Sequence, residues 1–159
     1  MEILESSGDF TPRRPSARRR AGLIGSSDTP DASRAAPIRV LLIEDHVDVR
    51  EMYAGYLNYV GMHVLTAADG LDGVDKAHLH RPDVIVMDLG LPLLDGLAAT
   101  RRLRADPRTS TIPIIALTAF VFTARKSARD AGCDAFLPKP CLPEELANHI
   151  RTLFEKRRF

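Results

Sequence analysis

The sequence predicts an α/β fold in which five parallel strands form one sheet with helices on both of its faces. Short apolar runs alternate with segments whose apolar residues recur at helical spacing, which is the pattern of repeated β/α units. Residues 84–87 and 112–117 are rich in β-branched side chains and lack the polar alternation of half-exposed strands. Such units join parallel strands through right-handed crossovers, so both faces of the sheet are covered by helices.

Each predicted strand is followed by a helix that carries recognisable end signals. The strands are expected at residues 38–43, 63–66, 83–87, 112–117 and 135–137, and the helices at about 49–60, 69–80, 95–105, 121–131 and from 143 onward. The apolar positions of the first helix are Val49, Met52, Tyr53, Tyr56, Leu57 and Val60. Asp95 is expected to cap the third helix, Gly61 and Gly132 to end the first and fourth, and Pro143 to open the fifth.

Composition indicates one globular domain preceded by a tail. The chain has 159 residues, of which 45% are hydrophobic and 27% are charged. Residues 1–37 hold six arginines against five acids, with four prolines and no apolar period, which predicts a disordered basic extension. The folded domain is expected at residues 38–159, where sixteen basic residues balance sixteen acids, so bulk charge does not indicate a nucleic-acid-binding face. The arginine cluster at residues 13–20 suits contact with phosphates or acidic surfaces, with a solvated tail as the alternative.

Cysteine, histidine and hydropathy patterns exclude several other classes of protein. Cys133 and Cys141 are too few for a disulfide framework or a zinc site, which predicts reduced thiols in a cytoplasmic protein. No apolar run approaches the length of about 18 residues that a membrane span needs. The histidines are scattered, and we expect them at or near the surface rather than in a metal set: His46, His63, His78, His80 and His149.

Polar side chains follow four of the strands and are expected to meet at one edge of the sheet. Glu44 and Asp45 follow the first strand and Asp88 ends the third. Thr118 follows the fourth strand and Lys139 the fifth. Carboxylates gathered at one edge repel each other unless a cation lies among them, and hard oxygen ligands of this kind suit Mg²⁺ or Mn²⁺. The ammonium and the hydroxyl complete a pocket for a tetrahedral anion, an arrangement suited to phosphoryl transfer to a carboxylate.

The order and spacing of these motifs resemble the receiver domain of two-component response regulators. The motifs are Glu44-Asp45, the run from Met87 to Gly96, Thr118-Ala119 and Lys139-Pro140. The resemblance covers the chain from about Ile38 to the C-terminus. It implies a flavodoxin-like, doubly wound (βα)5 fold with the strand order 2-1-3-4-5.

The resemblance also implies roles for individual residues. Asp88 would accept a phosphoryl group from a phosphohistidine of a sensor kinase or a histidine phosphotransfer protein. The implied ligands of Mg²⁺ are Glu44, directly or through water, Asp45, Asp88 and the backbone carbonyl of Gly90. Lys139 would pair with Asp88 and the phosphoryl oxygens, and its bond to Pro140 would be cis.

A switch is implied at Thr118 and Phe136. The Thr118 hydroxyl would move toward the phosphoryl group, and Phe136 would turn into the vacated space and alter the surface of the fourth helix, fifth strand and fifth helix. Tyrosine is commoner in the family at the position of Phe136, and the alternative is that Phe136 is an ordinary core residue. Gly90 and Phe120 stand two residues after Asp88 and Thr118 and offer no polar group to orient water, which predicts slow self-dephosphorylation.

We expect a stand-alone receiver that signals through protein contacts, because the chain ends directly after the fifth helix with no DNA-binding or enzymatic output domain. It would be a phosphoacceptor that assists its own phosphotransfer, not an enzyme with turnover; a phosphatase or mutase would need an acid in place of Gly90.

The unknown downstream partner, or a second copy in a homodimer, would dock on the fourth-helix to fifth-helix face. Phe120, Val121 and Phe122 add apolar bulk there; burial of all three is not expected, but core packing of one or two of them is. The alternative function is a docking module that signals without phosphorylation.

Overall fold

The computed structural model describes residues 35–159, with Val121 described in its backbone only. Residues 1–34 lie outside the described range, so the predicted disorder of the N-terminal extension stays a prediction. The strands are β1 (Arg39–Ile43), β2 (His63–Ala67), β3 (Val84–Asp88), β4 (Ile114–Thr118) and β5 (Ala135–Pro138). The helices are α1 (Val47–Tyr59), α2 (Gly70–His80), α3 (Gly96–Ala105), α4 (Val121–Ala131) and α5 (Pro143–Lys156).

The five strands form one parallel sheet in the order β2-β1-β3-β4-β5, which confirms the predicted fold class and strand order. The register keeps the strands in step: Ile43 of β1 lies beside Met87 of β3, and Met87 lies beside Ala116 of β4. The carboxyl ends of these strands therefore form a common rim, where the residues that follow them come together.

Helices cover both faces of the sheet because its central strands are buried throughout. In β1 the side chains of Leu41 and Ile43 pack with α2, α3 and α4, whereas those of Val40 and Leu42 pack with α1 and α5. Every residue of β3 and β4 is buried. Burial of such side chains contributes about 1.5 to 3 kcal/mol each to the free energy of folding, so the two-sided core fixes the position of the rim.

The helix ends follow the sequence signals. The carboxylates of Asp69 and Asp95 each accept a hydrogen bond of 2.8 Å from the third residue of the following helix. Gly132 ends α4 with φ of +106°, a conformation that favours glycine. Pro143 is the first residue of α5, as predicted.

Two details differ from the sequence prediction. The fourth strand begins at Ile114, two residues later than expected, because Ile112 donates its N–H to the Thr109 carbonyl in a turn and Pro113 has no N–H to donate. Met52 follows the apolar spacing of α1 but is 48% exposed. Among the described residues, no helix has both the length and the apolar character needed to cross a bilayer.

Candidate functional site

Three acidic side chains meet at the rim. Glu44 follows β1 and is completely buried, and Asp88, the last residue of β3, is nearly so. Asp45 is partly exposed beside them. One ligand atom from each of these carboxylates, together with one from the His46 ring, lies within 4.8 Å of the others. Carboxylates this close repel each other unless a cation lies among them.

Lys139 supplies one such cation from the opposite side of the rim. Its Nζ donates to Glu44 Oε2 at 2.5 Å and to Asp88 Oδ2 at 3.2 Å. Burial acts to lower the pKa of Lys139, but the hydrogen bond that it donates to Glu44 and the charges of both carboxylates outweigh burial and raise that pKa overall. Lys139 is therefore held as an ammonium against Asp88.

The backbone after β5 sets the position of this ammonium. The N–H of Lys139 donates to the Thr118 carbonyl at 2.8 Å, which ties the end of β5 to the end of β4. The peptide bond between Lys139 and Pro140 is cis, the geometry implied by the resemblance. The residue after Pro140 is also fixed, because the Cys141 carbonyl accepts a hydrogen bond of 2.7 Å from the Tyr53 hydroxyl of α1. Burial raises the pKa of Tyr53.

The loop after Asp88 is fixed by close backbone packing. Asp88 Oδ1 accepts a hydrogen bond of 3.0 Å from the Gly90 N–H. Gly96, at the start of α3, donates its N–H to the Leu89 carbonyl at 3.2 Å. A Cβ on Gly96 would lie 2.3 Å from the backbone oxygen of Asp88, so only glycine allows α3 to approach the site this closely.

The two residues of the predicted switch lie on neighbouring strands. Thr118 is buried at the end of β4, where its Oγ1 accepts a hydrogen bond of 3.0 Å from the Phe120 N–H. Phe136 is half-buried in β5 and packs against the core on the α2, α3 and α4 side. The structure therefore places Phe136 at a position that is neither fully core nor fully exposed.

An unpaired carboxylate oxygen and the oxygen ligands around it show that the site fits a divalent cation. Asp45 Oδ1 is buried and has no hydrogen-bond partner among residues 35–159. A buried, unpaired carboxylate oxygen is costly unless an ion or water satisfies it. The donors at this point are hard oxygens, the ligands that Mg²⁺ prefers. Glu44, Asp45 and Asp88 therefore fit such an ion.

His46 lies at the surface, as expected, with its side chain 72% exposed, and its Nδ1 lies 3.1 Å from Glu44 Oε1 and 3.2 Å from Asp45 Oδ1. The hydrogen bond between the His46 ring and the accepting Glu44 carboxylate, then the charges of Asp45 and Glu44, raise the pKa of His46.

The surface beside the site is apolar. Phe120 is 71% exposed and Phe122 is fully exposed, while the side chain of Val121 lies outside what the structure describes. A groove of about 660 Å³ runs between α1 and the segment that follows β5. Its lining includes Val49, Met52, Lys139, Pro140 and Leu142.

Comparison with known proteins identifies similar chains. The family model described as the response regulator receiver domain matches residues 40–151. The response regulator MprA of Mycobacterium sp. (strain KMS) is 38% identical over 121 residues, covering 76% of this chain and 52% of the relative. The probable transcriptional regulator ycf27 of Guillardia theta is 34% identical over 119 residues, covering 74% and 46%. The chain thus spans about half the length of these curated relatives.

Solved structures show the same fold. The receiver domain of a sensor histidine kinase from Pseudomonas aeruginosa PAO1, which has a magnesium ion coordinated in its active-site cleft, is 36% identical with a TM-score of 0.71. The comparison covers 76% of this chain and 99% of that one. The chemotaxis response regulator CheY4 of Vibrio cholerae is 29% identical with a TM-score of 0.70, covering 74% and 98%.

Proposed function

Since the chain belongs to the response regulator receiver domain family of two-component signalling, we propose that Asp88 accepts a phosphoryl group from a phosphohistidine in a reaction that requires Mg²⁺. The observation that carries the proposal is the contact of the nearly buried Asp88 carboxylate with the Lys139 ammonium at 3.2 Å, inside the acidic cluster. A carboxylate in this position is a nucleophile surrounded by the charges that phosphoryl transfer needs.

Each residue of the site has a separate role in the proposed transfer. An oxygen of Asp88 attacks phosphorus, the bond from phosphorus to the histidine nitrogen breaks, and its electron pair returns to the imidazole. Lys139 neutralises charge on the phosphoryl oxygens, and the Thr118 hydroxyl turns to donate to one of them. Glu44, Asp45 and Asp88, with the Gly90 carbonyl, would hold Mg²⁺, or Mn²⁺ in its place, which would supply Lewis acidity when bound.

In this proposal the protein assists its own phosphorylation and slow dephosphorylation but does not turn over a separate substrate. The donor is a sensor histidine kinase or a histidine phosphotransfer protein. The groove beside Lys139 supports this assignment, because apolar side chains of a donor can bury Val49 and Leu142 while its phosphohistidine faces Asp88.

The phosphorylated state is passed on through the face formed by α4, β5 and α5, to a downstream protein or to a second copy of the chain. The exposed Phe120 and Phe122 support this role, because exposed aromatic groups suit protein contacts. We place the exchange in the cytoplasm, and the unpaired Cys133 and Cys141 are in keeping with a reducing compartment.

The test is phosphorylation of the full chain with acetyl phosphate, followed by intact mass measurement. We expect the wild type to gain the mass of one phosphoryl group with Mg²⁺ present and none after chelation, and Asp88→Asn to gain none. Asp95→Asn is the matched control, because asparagine still caps α3 and the exposed Asp95 lies outside the cluster. Absence of added mass in a folded, Mg²⁺-loaded wild type would support the phosphorylation-independent docking module instead.

A further inference from the structure

His46 occupies a helix-cap position without acting as a cap. It is the residue before α1, with an extended backbone, yet its side chain makes no capping hydrogen bond. Asp, Asn, Ser or Thr would usually stand here because their side chains accept from the first turn. The imidazole instead turns back toward the acidic cluster, which indicates that its role lies with the rim and not with the helix.

The distances around the ring match those between ligands of one metal ion. His46 Nδ1 lies 3.1 Å from Glu44 Oε1 and 3.2 Å from Asp45 Oδ1. Neighbouring ligand atoms of an octahedral ion are separated by about 1.4 bond lengths, or about 3 Å for bonds of about 2.1 Å. One ligand atom of each of these three residues lies within 4.8 Å of the others, so side-chain movement can bring them around one ion.

The Asp45 oxygen that lacks a hydrogen bond is the one that lies near the His46 ring. Asp45 Oδ1 makes no hydrogen bond among the described residues, even though the ring nitrogen is near it. The two atoms approach each other without hydrogen-bond geometry, as two ligands of a common ion would. The other edge of the ring is open to solvent, because the His46 side chain is 72% exposed, so the ring is free to adjust to an ion.

We propose that His46 Nδ1 is an additional ligand of the divalent ion held by Glu44, Asp45 and Asp88, and that it shifts the preference of the site toward Mn²⁺ and Ni²⁺. Imidazole suits these ions better than Mg²⁺, which takes oxygen ligands. The inference rests on the proposed function for the existence of the metal site, and it adds a nitrogen ligand that determines which ion is preferred.

The test uses the full chain, Mn²⁺ as a spectroscopic probe and His46→Phe. We expect the electron spin echo of bound Mn²⁺ to show modulation from a coordinated ¹⁴N nucleus in the wild type and not in His46→Phe. Titration calorimetry should show a loss of about tenfold in affinity for Mn²⁺ and Ni²⁺ but less than about twofold for Mg²⁺. The measurements are made at mildly alkaline pH, because a ligating imidazole must be deprotonated.

His63→Phe is the matched control, because His63 is exposed at the start of β2, whereas the rim lies at the carboxyl ends of the strands. All five histidines of the chain lie within the described residues, so no imidazole of the N-terminal extension can produce the signal. Modulation that survives in His46→Phe, or equal losses for all three ions, overturns the inference.

The failure of this inference is distinguishable from failure of the proposed function. If the wild type binds Mg²⁺ and is phosphorylated on acetyl phosphate treatment but its Mn²⁺ shows no nitrogen coupling, only the role of His46 is wrong. If Asp45→Asn leaves the affinity for every ion unchanged, the rim is not a metal site and both proposals fail.

Discussion

At the residue scale, Gly90 is expected to determine how long the proposed phosphoryl group persists. It stands two residues after Asp88, and a Cβ built on it would have Asp88 Oδ1 as a neighbour at 3.8 Å, an ordinary contact distance. A larger side chain therefore fits there and would lie beside the phosphoryl group. Glycine offers no polar atom to orient an attacking water, so the acyl phosphate is expected to decay slowly.

The expected result of Gly90→Asn is faster loss of the phosphoryl group, by about tenfold or more, because its amide can position water for attack. Loss of phosphoryl mass after removal of the donor, with Mg²⁺ present, measures the rate. Gly90→Ala is the control, since it adds bulk without a polar group and should leave the rate near that of the wild type. Decay of the wild-type phosphoprotein within seconds would show the prediction to be wrong.

At the scale of elements, one hydrogen bond connects α1 to the segment that carries Lys139. The buried Tyr53 hydroxyl donates to the Cys141 carbonyl, two residues beyond Lys139. Tyr53→Phe removes the donor and leaves that carbonyl unpaired, which should lower the free energy of unfolding by about 1 to 2 kcal/mol. Urea unfolding measures this change in the free energy of unfolding. Tyr59→Phe, at an 86% exposed position of the same helix, should leave stability unchanged. Equal stability of the two variants would contradict the prediction.

Elements could be predicted because their signals are local. Buried strands are continuously apolar, and Asp95, Gly132 and Pro143 mark helix ends through short-range chemistry. The convergence of Glu44, Asp88 and Lys139 also followed from the sequence, since carboxyl ends of parallel strands share one edge and the motifs resembled a known family.

Features that depend on side-chain orientation or distant contacts could not be predicted. Tyr53 and Cys141 are 88 residues apart, and nothing in either segment indicates that one hydroxyl meets that carbonyl. His46 looked like one of several scattered histidines, because its sequence position does not show that the ring turns toward the acids and not toward α1. Phe120 and Phe122 are both exposed, although the sequence predicts core packing of one or two residues among Phe120, Val121 and Phe122.

At the scale of the whole molecule, we expect phosphorylation at the rim to change a distant surface through Thr118. In the structure its Oγ1 accepts from the Phe120 N–H. Turning the hydroxyl toward a phosphoryl group breaks this bond and frees space for Phe136 on the neighbouring strand. The backbone at the start of α4 and the side chain of Phe136 would then change together.

We expect phosphorylation to alter amide hydrogen exchange across α4 and β5 in the wild type and in Thr118→Ser, which keeps the hydroxyl. Thr118→Ala should still be phosphorylated but should lose most of that change, because nothing couples the rim to Phe136. Mass-detected hydrogen exchange, with and without acetyl phosphate, makes the comparison. A response in Thr118→Ala as large as that of the wild type would contradict the proposed switch, and Phe136 would then be a packing residue only.

Identification of the phosphorylated residue tests the central claim most directly. Borohydride reduces an aspartyl phosphate to homoserine, so the treated protein can be digested and each acidic residue examined by peptide mass spectrometry. We expect homoserine at position 88 in the phosphorylated, Mg²⁺-loaded chain, and unmodified Glu44, Asp45 and Asp95. Homoserine at Asp45 or Asp95, or a phosphorylated chain with Asp88 unchanged, would contradict it.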